Sequence, residues 1–305
     1  MDREYVLGID LGGTKVEVCL LDMERRILAR HREPSEADRG LDHVIDTIMR
    51  LADKAAAGRT VVAAGVGTPG SYEREGDRLR GAPHTPVYET PGFIGRLRDR
   101  LKVPTVVEND ANCLALAEFF ASCAGRFHCV MAVILGTGMG SGLILHDRLY
   151  RGARGGAGEI GHATVSRRGR PCQCGRRGCP EAYLSGPSLS RRYEERAGKT
   201  LDVPDLYRLF REGEPRAVRL FEESCRIMGD VFANAVNILD LDAIILGGGV
   251  SNLDIWYEKV PPLIRRGNFG LERGEVPLIK ARLGDSAGVV GAAFLALRER
   301  GRMEF

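Results

Sequence analysis

The residues Y-V-L-G-I-D-L-G-G-T-K-V-E-V-C-L-L (Tyr5–Leu21) decide how the rest of the chain is read. An apolar run, Tyr5–Asp10, enters the turn Leu11-Gly12-Gly13-Thr14-Lys15 and leaves in a second run, Val16–Leu21. That is a strand–turn–strand pattern. Glycines in such a turn let backbone N–H groups approach a ligand, and the Thr14 hydroxyl and Lys15 ammonium suit phosphate oxygens. A plain hairpin turn has the same pattern. A P-loop is excluded, because G-x-x-x-x-G-K-[ST] is absent and a strand follows where a helix is required.

The pattern returns at Val130–Leu145, V-M-A-V-I-L-G-T-G-M-G-S-G-L-I-L. A shift of 124 residues lays Leu11-Gly12 on Leu135-Gly136, with apolar strands on both sides. Two such hairpins, each opening one half of the chain, predict duplicated α/β domains that face each other across a cleft. Each turn would then hold part of a polyphosphate.

Composition narrows the classes. The chain has 305 residues, 44% hydrophobic and 28% charged, enough for a core and for two domains. Its 44 basic and 41 acidic residues give a net charge of +3, too balanced for a nucleic-acid or membrane-surface protein. No apolar run reaches the ~20 residues of a membrane helix, and the first residues carry no signal-peptide pattern. A cytoplasmic enzyme is the expectation. Cys19, Cys113, Cys123, Cys129 and Cys225 lie in apolar stretches and read as small core residues.

Helical spacing predicts helices over residues 40–57, 188–197, 203–211 and 215–239, and near 253–265 and 287–299. Thr60–Val66 reads as a strand running into Gly65-Val-Gly67-Thr-Pro-Gly70, a nominal dinucleotide fingerprint. No helix opens after it to receive a pyrophosphate, so residues 71–86 are read as a loop lining a cleft. Val103–Val107 is a strand that delivers the chain to Asn109 and Asp110, from which a helix starts. Polar groups at a strand end before a helix face ligands in α/β folds. Asp110 as a simple N-cap is the competing reading. Ala243–Leu246 is a further strand, ending in Gly247-Gly248-Gly249, bare backbone on which a planar group such as a purine can lie.

Between Arg151 and Glu181 apolar residues are scarce. Cys172, Cys174 and Cys179, with His162 ten residues upstream, form a Cys3His set matching a closed, structural zinc site. His162 could instead face a substrate, or hold its ring between metal and substrate. Glu159 and Glu181 flank this loop and suit sugar hydroxyls, which present several donors in fixed geometry. The arginines of the loop (Arg167, Arg168, Arg170, Arg176, Arg177) read as a solvated rim, since no aromatic residues are interleaved for base stacking.

The set D-L-G-G-T-K (10–15), E-N-D-A-N-C (108–113), L-G-T-G-M-G-S-G (135–142), G-E-I-G-H (158–162), C-Q-C-G-R-R-G-C-P-E (172–181) and L-G-G-G-V-S (246–251) resembles the ROK family of repressors, open reading frames and kinases. The resemblance covers essentially the whole chain. It implies the actin-like ATPase (ribonuclease H-like) fold, two α/β domains around a central cleft. Residues 1–112 with 288–305 would form one lobe and 113–287 the other, with the zinc-braced loop at about 158–181.

In function it implies an ATP- and Mg²⁺-dependent hexose kinase acting on fructose, mannose or glucose, at C6. The resemblance makes Asp110 the general base and gives the sugar to Asn109, Glu159, His162 and Glu181. Gly12, Gly13, Thr14, Lys15, Gly136, Thr137 and Gly138 would line the phosphates, and Gly248 and Gly249 the adenosine. His84 stands where relatives carry an Asn that touches the sugar, which puts substrate identity in doubt. An N-acetylglucosamine or N-acetylmannosamine kinase is the alternative. A sugar-sensing repressor is disfavoured, because only about five residues precede the first strand. A homodimer without nucleic-acid or membrane partners is expected.

Overall fold

The computed structural model describes residues 3–73, 75–82, 85–269 and 274–303, with Asp285 described by its backbone alone. They divide into two compact units. The first comprises Met1–Phe120, Arg151–Gly156 and Asp285–Phe305, and the second Ala121–Tyr150 and Ala157–Gly284.

In the first unit β1 (Glu4–Leu11) and β2 (Lys15–Asp22) form the antiparallel hairpin, closed at Leu11↔Val16. β3 (Ile27–Pro34) adds an outer antiparallel strand. After α1 (Leu41–Ala56), β4 (Thr60–Thr68) pairs parallel to β1. A two-stranded hairpin, β5 (Ser71–Glu73) and β6 (Arg78–Arg80), and α2 (Phe93–Leu101) lead to β7 (Thr105–Asn109), parallel to β4. The sheet order is β3-β2-β1-β4-β7. Segment 71–86, expected as a plain loop, therefore contains paired strands, with Tyr72 opposite Leu79. The Tyr72 hydroxyl also donates to Asp77 at 2.8 Å.

Helix α1 forms because Val44, Ile45, Ile48, Leu51, Ala52 and Ala55 recur on one face, and all are buried. It stops where Ala57 turns left-handed, its N–H bonding to Asp53 O. Helix α3 (Asp110–Ser122) follows β7 directly. The last helix, α9 (Ala287–Glu299), packs on β1 and β4. Its approach needs missing side chains. A Cβ on Gly8 would lie 2.1 Å from Val289 O, and one on Gly65 would lie 1.8 Å from Ala292 O. A Cβ on Gly291 would lie 1.8 Å from Cys113 O in α3. No other residue type fits those three positions.

The second unit repeats the scheme with β8 (Val130–Leu135), β9 (Met139–Leu145), β10 (Arg148–Tyr150), β11 (Ala243–Gly247) and β12 (Leu278–Lys280), in the order β10-β9-β8-β11-β12. Between β10 and β11 come the cysteine-rich loop, α4 (Glu181–Leu184), α5 (Gly186–Ala197), α6 (Val203–Arg211) and α7 (Pro215–Leu239), with α8 (Ile255–Gly267) after β11. Glu214 caps α7, accepting from Ala217 N at 2.7 Å. Leu220, Phe221, Cys225, Met228 and Phe232 turn inward toward Trp256. At ~1.5–3 kcal/mol per buried large apolar side chain, this stripe outweighs any local helix preference. Trp256 Nε1 is satisfied by Val250 O at 2.8 Å, the partner a buried indole needs. All eight cysteines are free thiols, and of the five read as core residues only Cys129 is less than fully buried. No helix among the described residues is long and apolar enough to cross a membrane.

Candidate active site and metal centre

On the first unit the candidate site is built where β1 and β7 end. Gly12 N donates to Lys15 O at 2.9 Å, which closes the turn. Tyr88 Oη donates to Gly12 O at 3.1 Å, Ser35 Oγ to Gly13 O at 3.0 Å, and Ser35 N to Thr14 O at 3.0 Å. With these carbonyls tied inward, the Gly13 and Thr14 amides keep no protein acceptor among the described residues. Two consecutive N–H groups of this kind make an anion-binding turn.

Asn109 and Asp110 occupy the junction between β7 and α3. Asn109 Oδ1 accepts from Ala111 N at 2.9 Å and Asn112 N at 3.3 Å, so Asn109 caps the helix. Its Nδ2 donates to Gly70 O at 3.0 Å. Asp110 Oδ1 accepts from Ala111 N at 2.7 Å, which fixes the carboxylate in the first helical turn. Beneath them Glu108 is nearly buried. Its Oε1 accepts from Asn109 N and Asn112 Nδ2, both at 2.9 Å, and its Oε2 pairs with Arg151. The loops around the candidate proton acceptor are thus held by an ion pair that residue spacing did not reveal.

Asp10, the last polar residue before the turn, was also not singled out from the sequence. Its pKa is pushed up from 3.8 to about 7, first by burial and then by the neighbouring charges of Asp110 and Glu17, with Lys15 and Arg32 opposing. Gly288 makes room for it, since a Cβ there would sit 2.9 Å from Asp10 Oδ2. Neighbouring carboxylates short of solvation are the oxygen donor set that a hard divalent cation relieves. The usable sequence signal was a strand ending on a carboxylate just before a glycine turn. His84 lies outside the described residues.

On the second unit the hairpin turn is Gly136-Thr137-Gly138. Gly136 N donates to Gly138 O at 3.0 Å and Gly136 O accepts from Gly186 N at 2.8 Å, which leaves the Thr137 and Gly138 amides without a protein acceptor among the described residues. Glu181, at the start of α4, reaches back to this turn, its Oε2 accepting from Met139 N at 3.0 Å. A Cβ on Gly138 would stand 2.9 Å from that oxygen. Glu159 is exposed, just before the short turn Ile160–His162. Gly248 is left-handed at φ 85° and would clash with Leu135 O if substituted, whereas Gly249 faces open space. Gly248 O accepts from Ser251 N at 3.0 Å and from Ser251 Oγ at 2.6 Å, so the glycine platform is fixed.

The ligand atoms of His162, Cys172, Cys174 and Cys179 all lie within 4.8 Å of one another. Cys174 Sγ and Cys179 Sγ are 3.6 Å apart, and Cys172 Sγ is 3.7 Å from His162 Nδ1. A tetrahedral zinc with Zn–S near 2.3 Å has donor–donor edges of about 3.6–3.8 Å. The donor set fits zinc in chemistry and in spacing. His162 Nδ1 is the nitrogen turned to the thiols, which leaves Nε2 for a second partner. The loop's backbone is folded tightly for its length, with Cys172 N donating to Arg176 O at 2.8 Å and Gly178 N to Arg170 O at 2.7 Å.

Two like-ordered α/β sheets, each opening on an amide-presenting hairpin, define an actin-like ATPase fold. Comparison with known proteins takes this further: the chain belongs to the ROK family, whose profile matches residues 6–299. It is 33% identical to the N-acetyl-D-glucosamine kinase of Histophilus somni, covering 95% of this chain and 98% of that protein. Its fold superposes on the ROK hexokinase of Thermus thermophilus with a TM-score of 0.89 at 34% identity, over 98% of this chain and 100% of the other. A ROK glucokinase from Streptomyces griseus, solved with glucose and AMPPNP, gives a TM-score of 0.79 at 32% identity, over 96% and 99% of the chains.

Proposed function

We propose that the chain is an ATP-dependent hexose kinase that transfers the γ-phosphoryl group of ATP to a sugar hydroxyl, that of C6. The observation that carries this reading is the Asp110 carboxylate. It is fixed at the start of α3 while Asn109 performs the capping, in the same unit as the amide-presenting turn Gly12–Lys15. Asp110 takes the proton of the attacking hydroxyl, a task for which position and charge matter more than covalent chemistry. Asn109, Glu159, His162 and Glu181 hold the sugar hydroxyls, with His84 as a further contact. For Asn109 this leaves the second N–H of its amide, since its oxygen and one N–H are already engaged.

The Gly13 and Thr14 amides, with those of Thr137 and Gly138, donate to phosphate oxygens beside Lys15, Gly12 and Gly136. Gly248 and Gly249 receive the adenosine. Mg²⁺, when bound, neutralises phosphate charge, and Asp10 is the residue whose chemistry fits it. Zinc at His162, Cys172, Cys174 and Cys179 is structural, because four protein ligands leave no open position. A cytoplasmic homodimer is the setting we infer.

Relatives of near-equal identity are named for N-acetylglucosamine, for hexose and for glucose. Glucose, fructose and mannose form our first reading, and an N-acetylhexosamine the second, favoured by the Histophilus somni relative. ADP release measured across a panel of hexoses and N-acetylhexosamines with Mg²⁺-ATP decides between them. Turnover with none of these sugars would sink the kinase reading.

A further inference from the structure

Residues 167–196 carry eight arginines and three glutamates, a local charge of +5 in a chain whose net charge is +3. Arg167, Arg168, Arg176, Arg177 and Arg191 are exposed, as a solvated rim requires, but the other three gather at one place. Arg170 of the cysteine loop and Arg192 and Arg196 of α5 converge with Arg226 of α7 on a depression of about 330 Å³. Tyr183 and Ile227 form part of its wall, and Glu223 and Asp230 are its acidic lining.

Arg192 is built into this site, its side chain only 3% exposed. Its Nη1 donates to Tyr183 O and Ser224 Oγ, both at 2.8 Å, and its Nη2 to Glu223 Oε2 at 3.0 Å. The guanidinium also lies over the Tyr183 ring, 5.6 Å from its centroid. Two of its five N–H donors keep no protein partner among the described residues. Glu223 Oε2 is shared with Arg196 at 2.5 Å, and Arg170 pairs with Glu195. Arg226 is exposed and forms no ion pair with a described residue. Four guanidiniums thus stand against three carboxylates, those of Glu195, Glu223 and Asp230, and the balance stays positive with all three ionised. Burial first, then the charge of Arg196, brings the Arg192 pKa down from 12.5 to about 10. A group crowded by like charge gains most from an added anion.

We propose that this depression is a binding site for a phosphate-bearing anion. None of its lining residues belongs to the proposed sugar, nucleotide or metal sites. Arginine forks match phosphate oxygens two at a time, which is why the cluster favours phosphate over a monovalent anion. The space fits the small-ligand range of about 300–1,000 Å³, so the phosphate can be free or carried on a sugar. Filling it acts on the neighbouring loop. Arg170 N donates to Tyr183 Oη at 2.9 Å, two residues before Cys172. Tyr183 stands two residues after Glu181, whose carboxylate holds the second hairpin through Met139 N.

Calorimetric titration of the whole protein, with inorganic phosphate in one arm and glucose 6-phosphate in the other, tests the proposal. The expected result is one saturable event per chain that weakens about tenfold or more in the Arg196→Gln/Arg226→Gln variant, and less in Arg196→Lys/Arg226→Lys. Both positions are at the rim, and Trp256 fluorescence checks that the variants are folded. Tighter binding of the sugar phosphate assigns the site to a phosphorylated sugar, and equal binding assigns it to the phosphate group alone; both support it. Slower amide exchange at Gly169, Arg170 and Cys172 with phosphate present is the expected sign of the loop's response. Equal affinity of wild type and the glutamine variant, or no saturable binding of either probe, overturns the proposal.

Discussion

The two sheets share one plan and are braced by different means. Each has an antiparallel hairpin, a third antiparallel strand outside it, and two parallel strands on the other side. In each, the hairpin turn leaves two successive amides for a ligand. In the first unit the turn is held by Ser35 and Tyr88, side chains rooted in a packed apolar layer. In the second it is held by Gly186 N and by Glu181, which begins a helix directly after the cysteine loop. One hairpin is supported by a core and the other by a loop with little core of its own. A metal is the economical support for such a loop, because ligand bonds replace the burial it lacks.

The largest expected effect separates chemistry from support. Asp110→Ala should lower kcat by about 10²–10⁴ while sugar binding stays measurable by calorimetry. Turnover within twofold of wild type would remove Asp110 from the role of proton acceptor. Next comes the metal. Mass spectrometry of the wild type should find one zinc per chain; Cys174→Ser, or exhaustive chelation, should remove it and destabilise the second unit by ~3 kcal/mol, while exchange protection in β1 and β4 is retained. Equal loss of protection in both sheets would show that the two supports are not independent.

A third test concerns Asp10. Its folded pKa lies above its ordinary 3.8, so its contribution to stability is fully present below about pH 4 and is lost as pH rises through about 7. Without nucleotide or Mg²⁺, Asp10→Asn should match wild type in urea melts near pH 4 and exceed it by ~2–3 kcal/mol at pH 8, with activity lost. A difference that does not change with pH would count against the buried-carboxylate account. The smallest effect compares the turns directly. Gly138→Ala must displace the Glu181 carboxylate and should raise the sugar KM about tenfold, near 1.4 kcal/mol. Gly13→Ala meets only Thr85 Cγ2 at 3.6 Å and should leave that constant near wild type. Equal KM values would mean Glu181 does not touch the sugar.

Much of this comparison is legible in the sequence alone. The Gly12 and Gly136 hairpins carry their pattern locally, as alternating strands around a turn, and Cys172-x-Cys174 with Cys179 carries its own spacing. Helices α6 and α7 also fall where their periodicity places them. What escaped was non-local or weakly patterned. β3 reads I-L-A-R-H-R-E-P and lies outermost in its sheet, with Ile27 and Leu28 exposed, so no apolar alternation marks it. The strands β5 and β6 have three residues each, too few for a period. The Glu108–Arg151 pair joins residues 43 apart, and Asp10 owes its raised proton affinity first to burial and then to charges as distant along the chain as Asp110. Spacing along the chain carries no information about either.

The two glycines under α9, Gly8 and Gly65, also bear on the order in which the protein is completed during synthesis. Residues 121–150 and 157–284 are all made before α9 emerges, so the second unit has its whole complement of chain while the first still lacks a helix. Until then β1 and β4 present bare backbone at Gly8 and Gly65, shaped for Val289 and Ala292 and for no bulkier surface. The nascent first sheet therefore stays open to mispairing until its last helix arrives. A chain truncated after residue 286 and released should show a protease-resistant second unit and a protease-sensitive first one.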